Sequence, residues 1–329
     1  MHLRGIVVAQ SLVLFSCLCL AQAKPALRLE NEIPLPNVEG RIDHLSADVQ
    51  GQRVFVAALG NNTVEAVDMQ HGQRAAEITG LKEPQGVLYV PANQILYVAN
   101  GADGAVRSFD GRTMQLLKSV TLGDDADNLR YDKQHQLVLA GYGSGSVATL
   151  GLDLSVKNDI KLPAHPESFQ LSADGHRVFV NLPRNLSVAV IDRDNHAVSA
   201  TWNHLGALSN FPMALDEEHH RVFLACRMPA RLLVVDTNTG RVVARTSTVG
   251  DADDLFYDRS RKSIYVIGGE GYIDVLHVSD ENQLTSASHI DTAPGARTGL
   301  FISEWNKVII AAPHKGSSSA RLLVYSIAP

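Results

Sequence analysis

One short segment type returns seven times along the chain, and its period limits the possible fold more than any other feature. RVFVAA at Arg53, QILYVAN at Gln94, QLVLAG at Gln136, RVFVNL at Arg177, RVFLAC at Arg221, SIYVIGG at Ser263 and KVIIAA at Lys307 are the seven copies. Such β-branched and aromatic runs, bounded by Gly, Asn or Asp, have the composition of strands. Their starts lie 41, 42, 41, 44, 42 and 44 residues apart. A period of about 40–45 residues holding several short strands is the mark of a propeller blade.

The rest of each unit supplies the other strands. Before the repeated strand stands another, such as HLSAD, NLRYD, SFQLS or LFYD; after it come a third, such as TVEAVD or LLVVD, and a fourth, such as RVVARTSTV. The last unit has only three, ending with RLLVYSIA at Arg321–Ala328, while LRLENEIPL at Leu27–Leu35 precedes the first unit and resembles a fourth strand. Pairing the two ends closes a ring and removes the edges on which an open array would aggregate. An open solenoid would instead need capping repeats at its termini. The expected fold is therefore all-β, one seven-bladed β-propeller domain over residues 24–329 with four antiparallel strands per blade.

The segments VFVAALGNNTVEAVD and ILYVANGADGAVRSFD resemble the YVTN repeat of the YncE-like family of exported seven-bladed β-propellers. The resemblance spans essentially everything after residue 23. It implies this same fold and little about activity, because members of the group differ widely in role. Asn181-Leu182-Pro183-Arg184 and Cys226-Arg227-Met228-Pro229 depart from its Ala-Asn-Gly turn. Departures at otherwise regular turns are where function would be grafted.

Residues 1–23 read as a secretory signal peptide: an apolar run from Ile6 to Leu20 is followed by Ala21-Gln22-Ala23, an A-x-A cleavage pattern. The expectation is an exported, periplasmic or extracellular protein cut before Lys24. Leu14-Phe15-Ser16-Cys17 leaves a lipoprotein as the alternative. No later segment approaches the roughly 20 apolar residues of a spanning helix. Cleavage would leave Cys226 as the one cysteine, so no internal disulfide could form. A formal charge of −6, 6% aromatics, two tryptophans and no basic tract argue against nucleic acid, which needs clustered cations and stacking platforms. No C-x-x-C-H haem site occurs, and a monomer is expected.

Most carboxylates are turn chemistry. Asp68, Asp110, Asp192 and Asp236 end third strands, and Asp48, Asp132, Asp216 and Asp258 end first strands, where Asp bonds its own downstream backbone. Counting five or six residues back from those first-strand ends gives Asp43, Gln85, Asp127, Glu167, Phe211, Asp253 and Thr298 in the seven blades. In a propeller these positions encircle one mouth of the central channel. Asp43, Asp127, Glu167 and Asp253 would form an acidic ring, with His44, Asn128, His165 and Asp254 at the same level. Such acids either satisfy loop N–H groups among waters or share a divalent cation that offsets their repulsion. Oxygen donors with Asn128 suit Ca²⁺ or Mg²⁺, whereas His44 or His165 would favour Zn²⁺.

The same face should carry Arg41, Arg184, Arg227 and Arg297, either paired with the acids or open to an anionic small molecule. Cys226 reads as a buried strand residue, because no base is identifiable beside it. Two functions of different class remain. One is an exported binding or interaction propeller that presents its polar, acidic mouth to a small ligand, a cation or a protein partner. The other is a metal-assisted hydrolase or lyase, lactonase-like, with a divalent ion at that mouth. The lack of any catalytic motif weighs for the first.

Overall fold

The structure, a computed structural model, describes residues 26–328; the expected signal segment at residues 1–23, with Cys17 and Cys19, lies outside the described residues. Among the described residues, 28 strands form seven four-stranded antiparallel sheets arranged as the blades of a propeller. Blade 1 is typical: Leu45–Asp48, Arg53–Ala58, Thr63–Asp68 and Gln73–Ile78 pair in sequence order from the channel outward. Its second and third strands are buried almost end to end, whereas the outermost alternates exposed and half-buried positions. Strands covered on both faces read as continuous apolar runs, which is why VFVAA and its six counterparts carry the repeat. The core is correspondingly divided into layers between neighbouring blades. Val54, Val56, Ile309 and Leu322, for example, share one cluster between the first and last blades.

Closure follows the two chain ends. Leu27–Pro34 pairs antiparallel with Arg321–Ile327 and supplies the outer strand of blade 7, with a bulge between Leu29 and Asn31. Leu27, Ile33, Leu35 and Val38 are each at most 2% exposed. Full burial of such side chains contributes about 1.5–3 kcal/mol apiece, so the segment is a structural part of the ring.

The turn carboxylates behave as their positions require. Asp68 Oδ1 accepts the N–H groups of Gln70 and His71 at 2.9 and 3.0 Å, and Asp110, Asp192 and Asp236 accept equivalent ones. At the first-strand ends a second partner appears: Asp48, Asp132, Asp216 and Asp258 each bind an arginine, Arg53, Arg193, Arg221 and Arg261 respectively. In blades 1, 3 and 4 the innermost strand is only three or four residues long and the residues just before it stand at the channel mouth, whereas in blade 6 the strand begins at Ala252 and carries Asp253 itself.

Candidate functional site

Paired backbone hydrogen bonds set the level of that mouth. Asp43 N–H donates to the Ala57 carbonyl and Ala57 N–H to the His44 carbonyl. The same pair recurs between Asp127, Gly141 and Asn128 in blade 3, and between Glu167, Asn181 and Ser168 in blade 4. Asp43, Asp127 and Glu167 therefore occupy equivalent positions, and the residue after each lies one step deeper. In blade 7 Thr298 stands opposite Ala311, the counterpart of Ala57, so Thr298 is level with His44 and Arg297 holds the ring position. The count from sequence is one residue off there, because the innermost strand ends at Ile302 before a 3-10 turn, where blades 1, 3, 5 and 6 end on Asp.

The mouth encloses about 200 Å³ and brings together Asp43, Asp127, Glu167 and Asp253 with Arg41, His44, His165, Arg184 and Arg227. Its charges divide into two sectors. In the first, Arg41 Nη2 lies 3.0 Å from Asp43 and 3.3 Å from Asp253, while Arg227 Nη2 donates to Asp253 Oδ1 at 2.7 Å. Arg227 also lies 3.8 Å over the Phe211 ring, which holds it in place. Below them, His44 sits between Asp254, 3.3 Å from Nδ1, and Asp43, 3.6 Å from Nε2. Asp254 further accepts the Gly299 N–H at 2.9 Å. Asp43 and Asp253 are thus compensated by guanidinium groups and stand apart from the other two ring acids.

The second sector has no arginine pair. His165 is 5% exposed and donates Nδ1–H to the Gly143 carbonyl at 2.6 Å. A carbonyl can only accept, so that nitrogen carries the proton and Nε2 is the one turned to Asp127 Oδ2, 3.8 Å away. One donor atom each from Asp127, His165 and Glu167 lie within 4.8 Å of one another. Asp125 flanks the group, 3.5 Å from His165 and held by Gln85 Nε2 at 3.0 Å. Asp125 was not legible as a site residue; its only sequence signal is its place beside Asp127 in GDDADN.

Burial raises the carboxyl of Glu167 to about 8, the Asp127 charge adding to it and His165 opposing. Asp43 rises to about 7, again through burial, with His44 and Arg41 opposing and Asp127 and Asp253 adding. Burial acts on Asp127 in the same sense, but His165 and His44 outweigh it and hold it below the ordinary range. His165 is raised to about 9, because Asp127, the Gly143 carbonyl and Asp125 overcome the desolvation that would lower it. In an ion-free mouth near neutral pH, Glu167 keeps its proton and His165 is an imidazolium beside the Asp127 carboxylate.

The remaining expected residues lie around this centre. Arg184, on the 3-10 turn Pro183–Asn185, is exposed at the rim and has no ion pair among the described residues. Arg297 leaves the mouth to pair with Asp251 at 2.9 Å. Asn128, 2% exposed, accepts from Arg130 Nη1 at 3.2 Å in the channel below. Cys226 is fully buried, and burial pushes its thiol up to about 12, the reverse of what a nucleophile needs. The four acids of GDADDLFYD thus divide: Asp251 ties down arginines, Asp253 enters the mouth, Asp254 lines the channel just below it beside His44, and Asp258 caps a turn.

No protein-family profile matches the chain, and no curated protein does. Among solved structures the fold is similar to a chain of Kuenenia stuttgartiensis hydrazine synthase, with 14% identity and a TM-score of 0.74 over 89% of this chain and 98% of that one. It is also similar to a chain of a mitotic checkpoint complex, with 14% identity and a TM-score of 0.79 over 99% of this chain and 100% of that one. At such identity the likeness is one of fold: a seven-bladed β-propeller. Among the described residues no helix is long and apolar enough to cross a membrane.

Proposed function

We propose that the chain is an exported, non-catalytic binding propeller of the YncE-like, YVTN-repeat kind, whose channel mouth takes up a divalent transition-metal ion on Asp127, His165 and Glu167. The observation that carries this is the convergence of these three donors within 4.8 Å around a histidine whose other nitrogen is already committed to a carbonyl. Metal-binding histidines are oriented in that way by an outer hydrogen bond. A nitrogen with two carboxylates suits Zn²⁺ and its neighbours more than Ca²⁺ or Mg²⁺. A tetrahedral ion at about 2.0–2.1 Å sets its donors roughly 3.4 Å apart, so donors now up to 4.8 Å apart close by as much as about 1.4 Å to bind. Asp43 and Asp253, paired with arginines, stay outside the coordination shell and set the charge of the mouth. Export rests on the N-terminal apolar run and its A-x-A pattern.

Zn²⁺ titration calorimetry on chelator-stripped protein tests it. One equivalent should bind to the parent chain, and binding should be lost in Asp127→Asn and His165→Ala but kept in Asp68→Asn, an outer-turn control. Equal binding by all four would sink the metal reading. A lactonase-like hydrolase or lyase is the second reading, favoured by one observation: three protein donors leave a fourth position for water, and Arg184 at the rim could hold an anionic substrate. Hydrolysis of a lactone or ester panel that depends on added Zn²⁺ and on His165 would select it.

A further inference from the structure

Beneath the mouth the channel widens into a cavity of about 390 Å³, which meets the mouth at His44. Its wall contains one equivalent position from each blade, the innermost-strand residue paired with the third residue of the repeated strand. In blade 3 this position is Arg130, opposite Leu139. Its counterparts in blades 2, 6 and 7 are Leu88, Phe256 and Leu300, opposite Tyr97, Tyr265 and Ile309. The other three are small or neutral, and the amide nitrogen of one of them, Gln170, is spent on the Met213 carbonyl at 2.9 Å. A single guanidinium therefore shares this level of the channel with an apolar wall.

Arg130 has no carboxylate within ion-pair distance; Asp254, which lines the same cavity and attracts it from further off, is already engaged by His44 and the Gly299 N–H. Nη1 donates to Asn128 Oδ1 at 3.2 Å and to the Leu129 carbonyl at 2.8 Å, Nη2 donates to Ser168 Oγ at 3.2 Å, and the guanidinium rests 5.3 Å over the Phe169 ring. All three acceptors are neutral. Three of its five N–H groups are used, which leaves Nε–H and one Nη2–H, donors on a fixed fork that matches the two oxygens of a carboxylate. A cation drawn out of bulk water with only neutral acceptors gains most from an anion that can follow it. Elsewhere in this protein internal arginines such as Arg53, Arg193 and Arg221 are each given an aspartate; Arg130 differs in facing an open cavity.

We propose that the channel cavity is a binding site for a small apolar monocarboxylate, aryl or short branched alkyl, with its carboxylate on Arg130 and its hydrocarbon part against Leu88, Phe256 and Leu300. The volume lies within the roughly 300–1,000 Å³ of small-molecule pockets, which combine an apolar lining with a few orienting polar groups. This site is separate from the metal reading and does not rest on it.

The test uses the chain from residue 24 onward with chelator present throughout, so that its outcome is independent of the ion. Binding of benzoate and of benzamide, its neutral near-isostere, is measured by calorimetry at constant ionic strength. Benzoate should bind at least tenfold more tightly, and Arg130→Met should erase that preference. Should Arg130→Met fail to fold, Leu300→Trp fills the cavity without touching the guanidinium and should abolish benzoate binding. Equal binding of the two probes, no binding of either, or benzoate binding that survives Arg130→Met or Leu300→Trp would overturn the proposal.

Discussion

His165 holds the Gly143 carbonyl oxygen at 2.6 Å from its Nδ1, and that one contact decides what the ring nitrogen on the other side can do. Gly143 has φ +64°, a left-handed conformation that glycine adopts at little cost and a side-chain-bearing residue resists. A Cβ at this position would also stand 3.0 Å from Asp124 Oδ1. Gly143→Ala should therefore turn the carbonyl away and release the imidazole. Loss of an outer-shell partner typically weakens metal binding about 10–100-fold, so Zn²⁺ titration of Gly143→Ala should show a drop of that size. Unchanged affinity would mean that Gly143 does not orient a metal ligand.

The stability of the ion-free protein should fall as pH rises. His44 is raised to about 10: burial alone would lower it, but Asp254 and Asp43 outweigh that effect. The folded state therefore keeps a proton that the unfolded chain, at an ordinary 6.5, has released. Its contribution is complete below pH 6.5 and is lost as pH climbs through 10. Asp43, raised by burial to about 7, acts with the same sign at lower pH, between about 4 and 7. Charges facing His44 include Asp254, Asp43, Asp127 and, beyond Asp43, Arg41. Urea unfolding in chelator at pH 6, 8 and 10 should show declining stability, and His44→Gln should make the decline shallower without abolishing it, since Glu167 and His165, raised to about 8 and about 9, act with the same sign. A stability that rises over this range contradicts the arrangement.

The ring was legible in the sequence and its chemistry only partly. Blade number, strand order and closure followed from a period near 42 residues, because fully buried strands must be apolar and their turns need Asp or Gly. Asp127 and Glu167 were legible as ring members for the same reason. What counting could not show is how the ring divides, since the contact between Arg41 and Asp253 joins residues 212 apart in sequence. Thr298 was misplaced where blade 7 replaces its Asp turn by a 3-10 turn at Ser303–Trp305. Arg130 resembles an ordinary strand arginine until cross-strand register shows that it faces the channel.

Closure can be tested by one residue. Ile33 is 1% exposed, sits opposite Leu322 in the strand pair that joins the two chain ends, and packs in the cluster between blades 7 and 1. Ile33→Ala removes buried methyl groups and should cost about 2–5 kcal/mol of unfolding free energy. Leu29→Ala, at a position 44% exposed on the same strand, should stay within roughly 0.5 kcal/mol. Equal effects in denaturant unfolding would show that the N-terminal strand does not seal the ring.

The most deeply buried ion pair makes the sharpest stability prediction. Arg221 and Asp216 are 1% and 0% exposed, with Nε to Oδ2 at 2.9 Å, and Arg221 also reaches the Ser279 carbonyl at 2.7 Å. Yet Asp216 Oδ1 and Arg221 Nη2 have no hydrogen-bond partner, so desolvation is incompletely offset and the pair as a unit adds little. Its halves are another matter, because deleting one leaves an uncompensated buried charge at a cost of about 3–5 kcal/mol. Arg221→Met should show that loss in urea unfolding, a large share of the roughly 5–15 kcal/mol that holds a domain folded. Adding Asp216→Leu should restore most of it, since buried pairs replaced by apolar groups of similar volume are often neutral or stabilising. If the double variant is less stable than Arg221→Met alone, the carboxylate supports the fold through the 3.0 Å contact to His219, and the pair is not the self-contained unit its burial implies.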